Sequence, residues 1–173
     1  MSRIFGPVRQ LGYVVRDIEA AMHHWSGTLG IGPFFLFEKV VIDDFQYRGT
    51  PQPIELSIAL ANDGDMQIEL IEQKNDVPSA YRDHLAAQGQ VLHHTSAWTT
   101  DFDGDMARIL AAGHRVLQSG RIGDNRLAYF ETQGDYPSTT MELYDITGRA
   151  GRLNDKVREA ARDWDGRTAV IRR

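Results

Sequence analysis

The sequence predicts an α+β domain in which one small unit, a strand followed by a helix and then by further strands, is used twice. Three observations predict it. Residues 8–15 (Val-Arg-Gln-Leu-Gly-Tyr-Val-Val) form a strand-like run, Asp17 stands where a helix N-cap belongs, and residues 18–29 carry helical periodicity. Residues 91–100 (Val-Leu-His-His-Thr-Ser-Ala-Trp-Thr-Thr), the cap Asp101 and a helix over 105–112 repeat that order. Laying Gln10 on His94 puts Asp17 on Asp101 and Met22 on Met106 without a gap, and each helix is followed by extended segments broken by turn residues.

The elements follow in order. Gly6 and Pro7 release the first strand, with Gln10, Gly12 and Val14 on one face and Leu11, Tyr13 and Val15 on the other; either face could be the buried one. The first helix places Ile18, Ala21, Met22, Trp25 and Leu29 on one stripe and stops at Gly30 and Gly32. Residues 34–47 alternate as extended structure until Pro51 and Pro53 interrupt. Strands over 54–61 and 66–71 flank Asn62-Asp63-Gly64-Asp65, a hairpin turn. The first unit spans 6–73, and a linker over 74–90 contains a short helix, 79–87, stopped by Gly89. The second unit spans 91–148, with extended segments at 114–119, 127–132 and 139–146 and turns at Gly123-Asp124-Asn125 and Gly134-Asp135-Tyr136-Pro137. The last part, 149–173, holds an amphipathic helix over 152–164 that covers the domain's own core.

With 173 residues, 42% hydrophobic and 25% charged, the chain can bury a sizeable core. A net charge of -5 argues against nucleic acid or an anionic membrane as the main partner, and no cysteine is present for disulfide or thiolate chemistry. No run approaches the roughly 18 apolar residues of a membrane helix, and the opening residues lack an apolar signal core. A cytoplasmic location is expected.

Chemistry enters where polar residues occupy strand positions that expect apolar ones. Glu69 in Ile68-Glu69-Leu70-Ile71 and Glu142 in Met141-Glu142-Leu143-Tyr144 each sit in the last strand of their unit. A buried carboxylate without a partner is expensive, so it is normally paired, hydrogen-bonded or bound to a metal. Gln10 and His94 are the corresponding misfits in the first strands. If the two units pack about a pseudo-twofold axis, all four side chains can face one point. His93 is expected to face away from His94, since strand neighbours point apart. His23, His24 and His114 are read as solvated or packed.

Gln10-Leu11-Gly12-Tyr13-Val14-Val15 with Asp17, the helix ending in Leu29-Gly30, Ile68-Glu69-Leu70-Ile71-Glu72, His93-His94 with Asp101, and Met141-Glu142-Leu143 together resemble the vicinal oxygen chelate superfamily. That group includes glyoxalase I, methylmalonyl-CoA epimerase, extradiol dioxygenases and bleomycin-resistance proteins. The resemblance implies paired βαβββ modules curled into an open, cupped mixed barrel, a homodimer, and one divalent metal held by Gln10, Glu69, His94 and Glu142. Gln10 departs from the more usual histidine, a departure shared with glyoxalase I enzymes of one type. It weighs against a dioxygenase, whose iron needs two histidines and one carboxylate. One nitrogen with three oxygens suits zinc, nickel, cobalt or manganese.

The resemblance further implies a lyase, isomerase or epimerase that abstracts a proton next to a substrate carbonyl held by the metal, on a small and largely apolar molecule. Glu142, with Glu69 on the opposite face, would be the general base, and an apolar barrel moves a carboxylate pKa toward the working range. Strand alternation puts Ser96 and Trp98 on the face of His94, Tyr144 on that of Glu142 and Ile71 on that of Glu69, as pocket walls. Phe34, Phe35 and Phe37 are read as pocket or core, and Arg121 and Arg126 flank a glycine turn. The alternative is a metal-free protein that sequesters a small molecule, of the bleomycin-resistance type; retention of all four ligand-capable residues favours the enzyme.

Overall fold

The computed structural model describes residues 2–132 and 139–173; the turn expected at 134–137 lies outside them. One mixed sheet runs through the molecule, with α-helices packed against both of its faces. The first unit comprises β1 (Val8–Val14), α1 (Ile18–Thr28), β2 (Phe34–Val41), the short hairpin β3 (Asp43–Tyr47) and β4 (Thr50–Pro51), then β5 (Glu55–Asp63) and β6 (Met66–Gln73). After α2 (Ala80–Gln88) the second unit brings β7 (Leu92–Thr99), α3 (Phe102–Ala111), β8 (Arg115–Ile122), β9 (Asn125–Glu131) and β10 (Thr140–Asp145). The chain ends with α4 (Arg149–Arg162) and β11 (Val170–Arg172).

Local chemistry explains the element ends. Asp17 and Asp101 cap α1 and α3 by accepting hydrogen bonds from the backbone N–H groups of Ala20 and Gly104, and Ser79 does the same for α2 through Arg82. Gly64, at φ +57, allows the tight turn that joins β5 to β6.

The strand order is β11-β2-β5-β6-β1-β7-β10-β9-β8-β3-β4. β1 pairs with β6 in parallel, β7 pairs with β10 in parallel, and β1 meets β7 antiparallel at the centre. The two units therefore join within one chain. Only Ile42 separates β2 from β3, yet these strands stand towards opposite ends of the order. The sheet must curl for one residue to bridge that gap, so it forms a cup that no closing ladder completes.

Strand alternation divides the apolar side chains into an inside and two outsides. Ile68 and Leu70 pack outward with α1, around Met22 and Phe34, while Ala97 and Leu143 pack outward with α3, around Ile109, Phe130 and Phe5. The residues between them face into the cup. There Val14, Ile58, Leu60, Ile71 and Leu127 meet Tyr81 from α2 and Val157 from α4, both of which close over the concave face. At about 25 cal/mol per Å² of buried apolar surface, these three clusters are the main stabilising term, and they leave the inward polar residues at the base of the cup.

Candidate metal centre

Register builds the centre. On β1, Gln10 stands opposite Ser96 of β7 and Gly12 stands opposite His94. The offset that lays Gln10 on His94 also lays Gly12 on Ser96, so this pairing maps onto itself under a twofold rotation. The outer strands obey the same relation: Glu69 of β6 lies beside Gly12, and Glu142 of β10 lies beside Ser96. Two small residues, Gly12 and Ser96, thus open the space into which four long side chains lean.

Those four meet. One ligand atom each from Glu69, His94 and Glu142 lies within 4.8 Å of the others. His94 Nε2 is 3.2 Å from Glu69 Oε2 and 3.5 Å from Glu142 Oε2. Gln10, Glu69 and Glu142 also line one cavity. His94 is 0% exposed, and Gln10, Glu69 and Glu142 are at most 8% exposed. Among the described residues Gln10 Oε1 has no hydrogen-bond partner, and Glu69 Oε2 and His94 Nε2 make none beyond their contact with each other and with Glu142. Buried polar atoms are normally satisfied, and each of these can donate a lone pair. A buried imidazole between two carboxylates, with an unpartnered amide oxygen lining the same cavity, could hold a cation, and a nitrogen with three oxygens fits a borderline divalent ion.

Electrostatics agree. Burial alone would lower the His94 pKa, but the carboxylates of Glu142 and Glu69 raise it to about 9. Burial raises the pKa of Glu69, against the pull of His94. Without an ion the imidazolium serves as the cation of the site, and an ion would take the place of its Nε2 proton.

His93 departs from the expected alternation. The β1–β7 register slips between Gly12 and Tyr13, leaving His93 as the extra residue of a bulge. Its Nδ1 lies 3.0 Å from His94 Nδ1 instead of on the opposite face, and the rings meet edge to face at 5.2 Å. Burial lowers the pKa of His93, with His94 and His84 adding to the effect, and a hydrogen bond to the backbone of Ala80 partly opposes it. With the two Nδ1 atoms at hydrogen-bond distance, a neutral His93 ring can accept there from His94. That polarity leaves the His94 Nε2 lone pair for the ion.

Above the centre lies a cavity of about 580 Å³, walled by Phe37, Ile58, Leu60, Ile71, Leu127, Tyr129, Tyr144 and, from α4, Leu153 and Asn154. Of the expected walls, Ile71 and Tyr144 line it. Ser96 and Trp98 do not: Ser96 is fully buried between Gln10 and Glu142 in register, and Trp98 lies half-buried beside Tyr144. Phe37 lines the cavity, whereas Phe34 and Phe35 belong to core clusters. Arg121 and Arg126 are held at the surface by Asp44 and Asp103. His114 packs on Phe5.

Four residues of the site escaped the sequence reading: Gly12, His93, Gln67 and Asn154. Gly12 carried a signal, being a glycine inside a strand, which often marks a close approach. An added Cβ there would sit 1.9 Å from His94 Cε1. Gln67 shares the inward face of Glu69 and was legible by the same misfit criterion.

A sequence model of the Glyoxalase/Bleomycin resistance protein/Dioxygenase superfamily matches residues 9–130. No curated protein sequence matches. Among solved structures, a methylmalonyl-CoA epimerase in complex with methylmalonyl-CoA and ammonium is 23% identical, with TM-score 0.56 over 82% of this chain and 94% of that one. The Mycobacterium tuberculosis methylmalonyl-CoA epimerase is 18% identical, with TM-score 0.63 over 88% and 95%. A Streptomyces coelicolor epimerase variant in complex with 2-nitronate-propionyl-CoA is 24% identical, with TM-score 0.57 over 82% and 94%. At these identities the likeness is one of fold.

Proposed function

This chain belongs to the glyoxalase/bleomycin resistance protein/dioxygenase superfamily, the vicinal oxygen chelate group, and from that premise we propose that it is a metal-dependent isomerase of the epimerase type. Its substrate is a small carbonyl compound with a hydrogen on the carbon next to the carbonyl. One observation carries the reading: Glu69, His94 and Glu142, all buried, bring one ligand atom each within 4.8 Å of one another, and Gln10, whose Oε1 has no partner among the described residues, lines the same cavity as the two carboxylates. A divalent ion there would supply Lewis-acid stabilisation of negative charge on the substrate oxygen.

The chain's own residues do the rest. Glu69 and Glu142 approach His94 Nε2 from strands related by the pseudo-twofold. One carboxylate can take a proton from one face of the substrate carbon while the other returns a proton to the opposite face. The apolar walls exclude water from that carbon. The likeness to epimerases whose bound molecules are acyl-CoA thioesters supports a 2-substituted thioester over a hemithioacetal.

The test is metal analysis of protein that has met neither chelator nor nickel resin, followed by solvent deuterium exchange into 2-substituted acyl-CoA thioesters and 2-oxoaldehyde hemithioacetals. One divalent ion per chain and exchange into a thioester are expected. Glu142→Gln should keep the fold and lower exchange by roughly 10²–10⁴-fold. A protein that takes up no metal and exchanges no proton, yet retains an apolar ligand, would instead be a binding protein.

A further inference from the structure

Three carboxamides run head to tail from the candidate metal centre into α4. Gln10 Nε2 donates to Gln67 Oε1 at 2.8 Å, and Gln67 Nε2 donates to Asn154 Oδ1 at 3.3 Å. All three residues are at least nine-tenths buried. The chain has two open ends, the acceptor Gln10 Oε1 and the donor Asn154 Nδ2, and neither has a partner. All three residues line the 580 Å³ cavity. The first open end is accounted for by an ion; the second is a buried donor beside a space sized for a ligand, and a donor so placed wants an acceptor.

Building on the isomerase reading, we propose that Asn154 Nδ2 donates a hydrogen bond to a carboxylate oxygen of the substrate, distinct from the carbonyl oxygen at the metal. The polarity is fixed by the relay. Asn154 Oδ1 is committed to Gln67, so only the NH₂ group is left for the ligand, and a ligand donor is rejected. The surroundings select an anion. Gly148, Arg149 and Ala150, the start of α4, line the same cavity, no side chain caps that helix start, and Arg149 is exposed there. Free N–H groups and the positive end of a helix favour negative charge. Of the acidic lining residues, Glu69 and Glu142 belong to the metal centre and only Asp124 stands exposed at the rim.

The experiment uses the full chain loaded with zinc and three probes: methylmalonate, 2-methylacetoacetate and isobutyrate, titrated calorimetrically. Methylmalonate offers a second carboxylate, 2-methylacetoacetate a ketone, and isobutyrate neither. Wild type should bind methylmalonate the most tightly. Asn154→Asp keeps the acceptor for Gln67 and removes the donor, so it should weaken methylmalonate at least ~10-fold, as expected for a charge-assisted bond, and keep zinc affinity. Its isobutyrate affinity should change less than ~2-fold. Asn154→Ala should weaken methylmalonate similarly and also loosen zinc through Gln67 and Gln10; thermal melts check that both variants fold. Equal losses for methylmalonate and isobutyrate, an equal loss for the ketone, or zinc loss in Asn154→Asp would overturn the assignment. So would a wild type that binds methylmalonate no better than isobutyrate. If wild type takes up no zinc, the isomerase reading falls, and the Asn154 subsite stands or falls on the same comparison in zinc-free protein.

Discussion

Gly12→Ala tests the candidate centre without replacing any of its four candidate ligands. Gly12 lies between Glu69 and His94 in register, and the His94 ring rests over its Cα. An added methyl would come 1.9 Å from His94 Cε1 and 2.4 Å from both ring nitrogens, against the 3.4 Å at which ordinary contact begins. The ring must therefore retreat by about 1.5 Å, the difference between those distances. Ligand distances in metal sites tolerate about 0.2 Å, so the imidazole cannot retreat and still coordinate. Overpacking costs about 1–3 kcal/mol, and replacing a strand glycine returns about 0.5–1 kcal/mol, which leaves a fold weakened but intact. Competition titration against a chromophoric zinc chelator should show affinity reduced at least ~100-fold, beyond the 10–100-fold typical of losing an outer-shell partner. Gly27→Ala is the control, because Gly27 is an exposed helix residue with nothing near its Cβ position. Zinc affinity in Gly12→Ala within ~3-fold of wild type would show that His94 is not a ligand in this geometry.

Two further expectations concern the histidines. His93→Phe removes the acceptor at His94 Nδ1 and should cost 10–100-fold in zinc affinity, whereas His93→Asn, which can place an oxygen near the Nδ1 position, should recover part of it; long-range ¹H–¹⁵N spectra of the zinc-loaded protein should show His94 carrying its proton on Nδ1, and a proton on Nε2 would refute the relay. In the metal-free protein the His94 pKa, raised from 6.5 to about 9, means that its contribution to stability is fully present below about 6.5 and is lost as pH rises through about 9. An ion must displace the Nε2 proton, so apparent zinc affinity should rise about tenfold per pH unit below about 9; a flat affinity between about pH 7 and 8 would contradict this.

The four candidate ligands were legible because each is a polar residue in an apolar strand, and the doubled strand–helix order supplied the symmetry that brings them together. What stayed hidden depends on register and on bends. The bulge that turns His93 beside His94 leaves no mark in the sequence, since a one-residue slip costs the strand pattern nothing visible. Residues 34–47 read as one extended run, but the chain breaks at Ile42 into β2 and β3 on distant parts of the sheet, and Lys39 and Asp44, at φ 56 and 53, mark the register shifts within each strand. β11 has three residues and no periodicity of its own; it forms because α4 delivers the chain to the free edge of β2. Asn154 was masked by its helix. It interrupts the stripe of Leu153 and Val157, and a single polar residue there reads as the edge of an amphipathic face until Gln67 is found opposite it.

The same register explains why Gln10 stands where relatives usually carry histidine. His94 can lie over β1 because the residue beneath it is Gly12, whose missing Cβ is the space the ring occupies. The symmetric position beneath residue 10 is Ser96, which is fully buried. By the symmetry of the pairing an imidazole at position 10 would lie over Ser96, which has the Cβ and hydroxyl that Gly12 lacks, whereas glutamine is unbranched at Cβ and is hydrogen-bonded to Gln67. Gln10→His alone should therefore clash as Gly12→Ala does, with about 1–3 kcal/mol lost from stability and zinc affinity reduced. Gln10→His combined with Ser96→Gly recreates the His94–Gly12 pair on the other side of the axis and should bind zinc at least as tightly as wild type. Chemical denaturation and chelator competition on the four proteins of this double-mutant cycle should give a favourable coupling of about 1–3 kcal/mol. Additive effects would mean that Ser96 does not limit position 10, and that the glutamine was set by the chemistry of the metal rather than by the space beneath it.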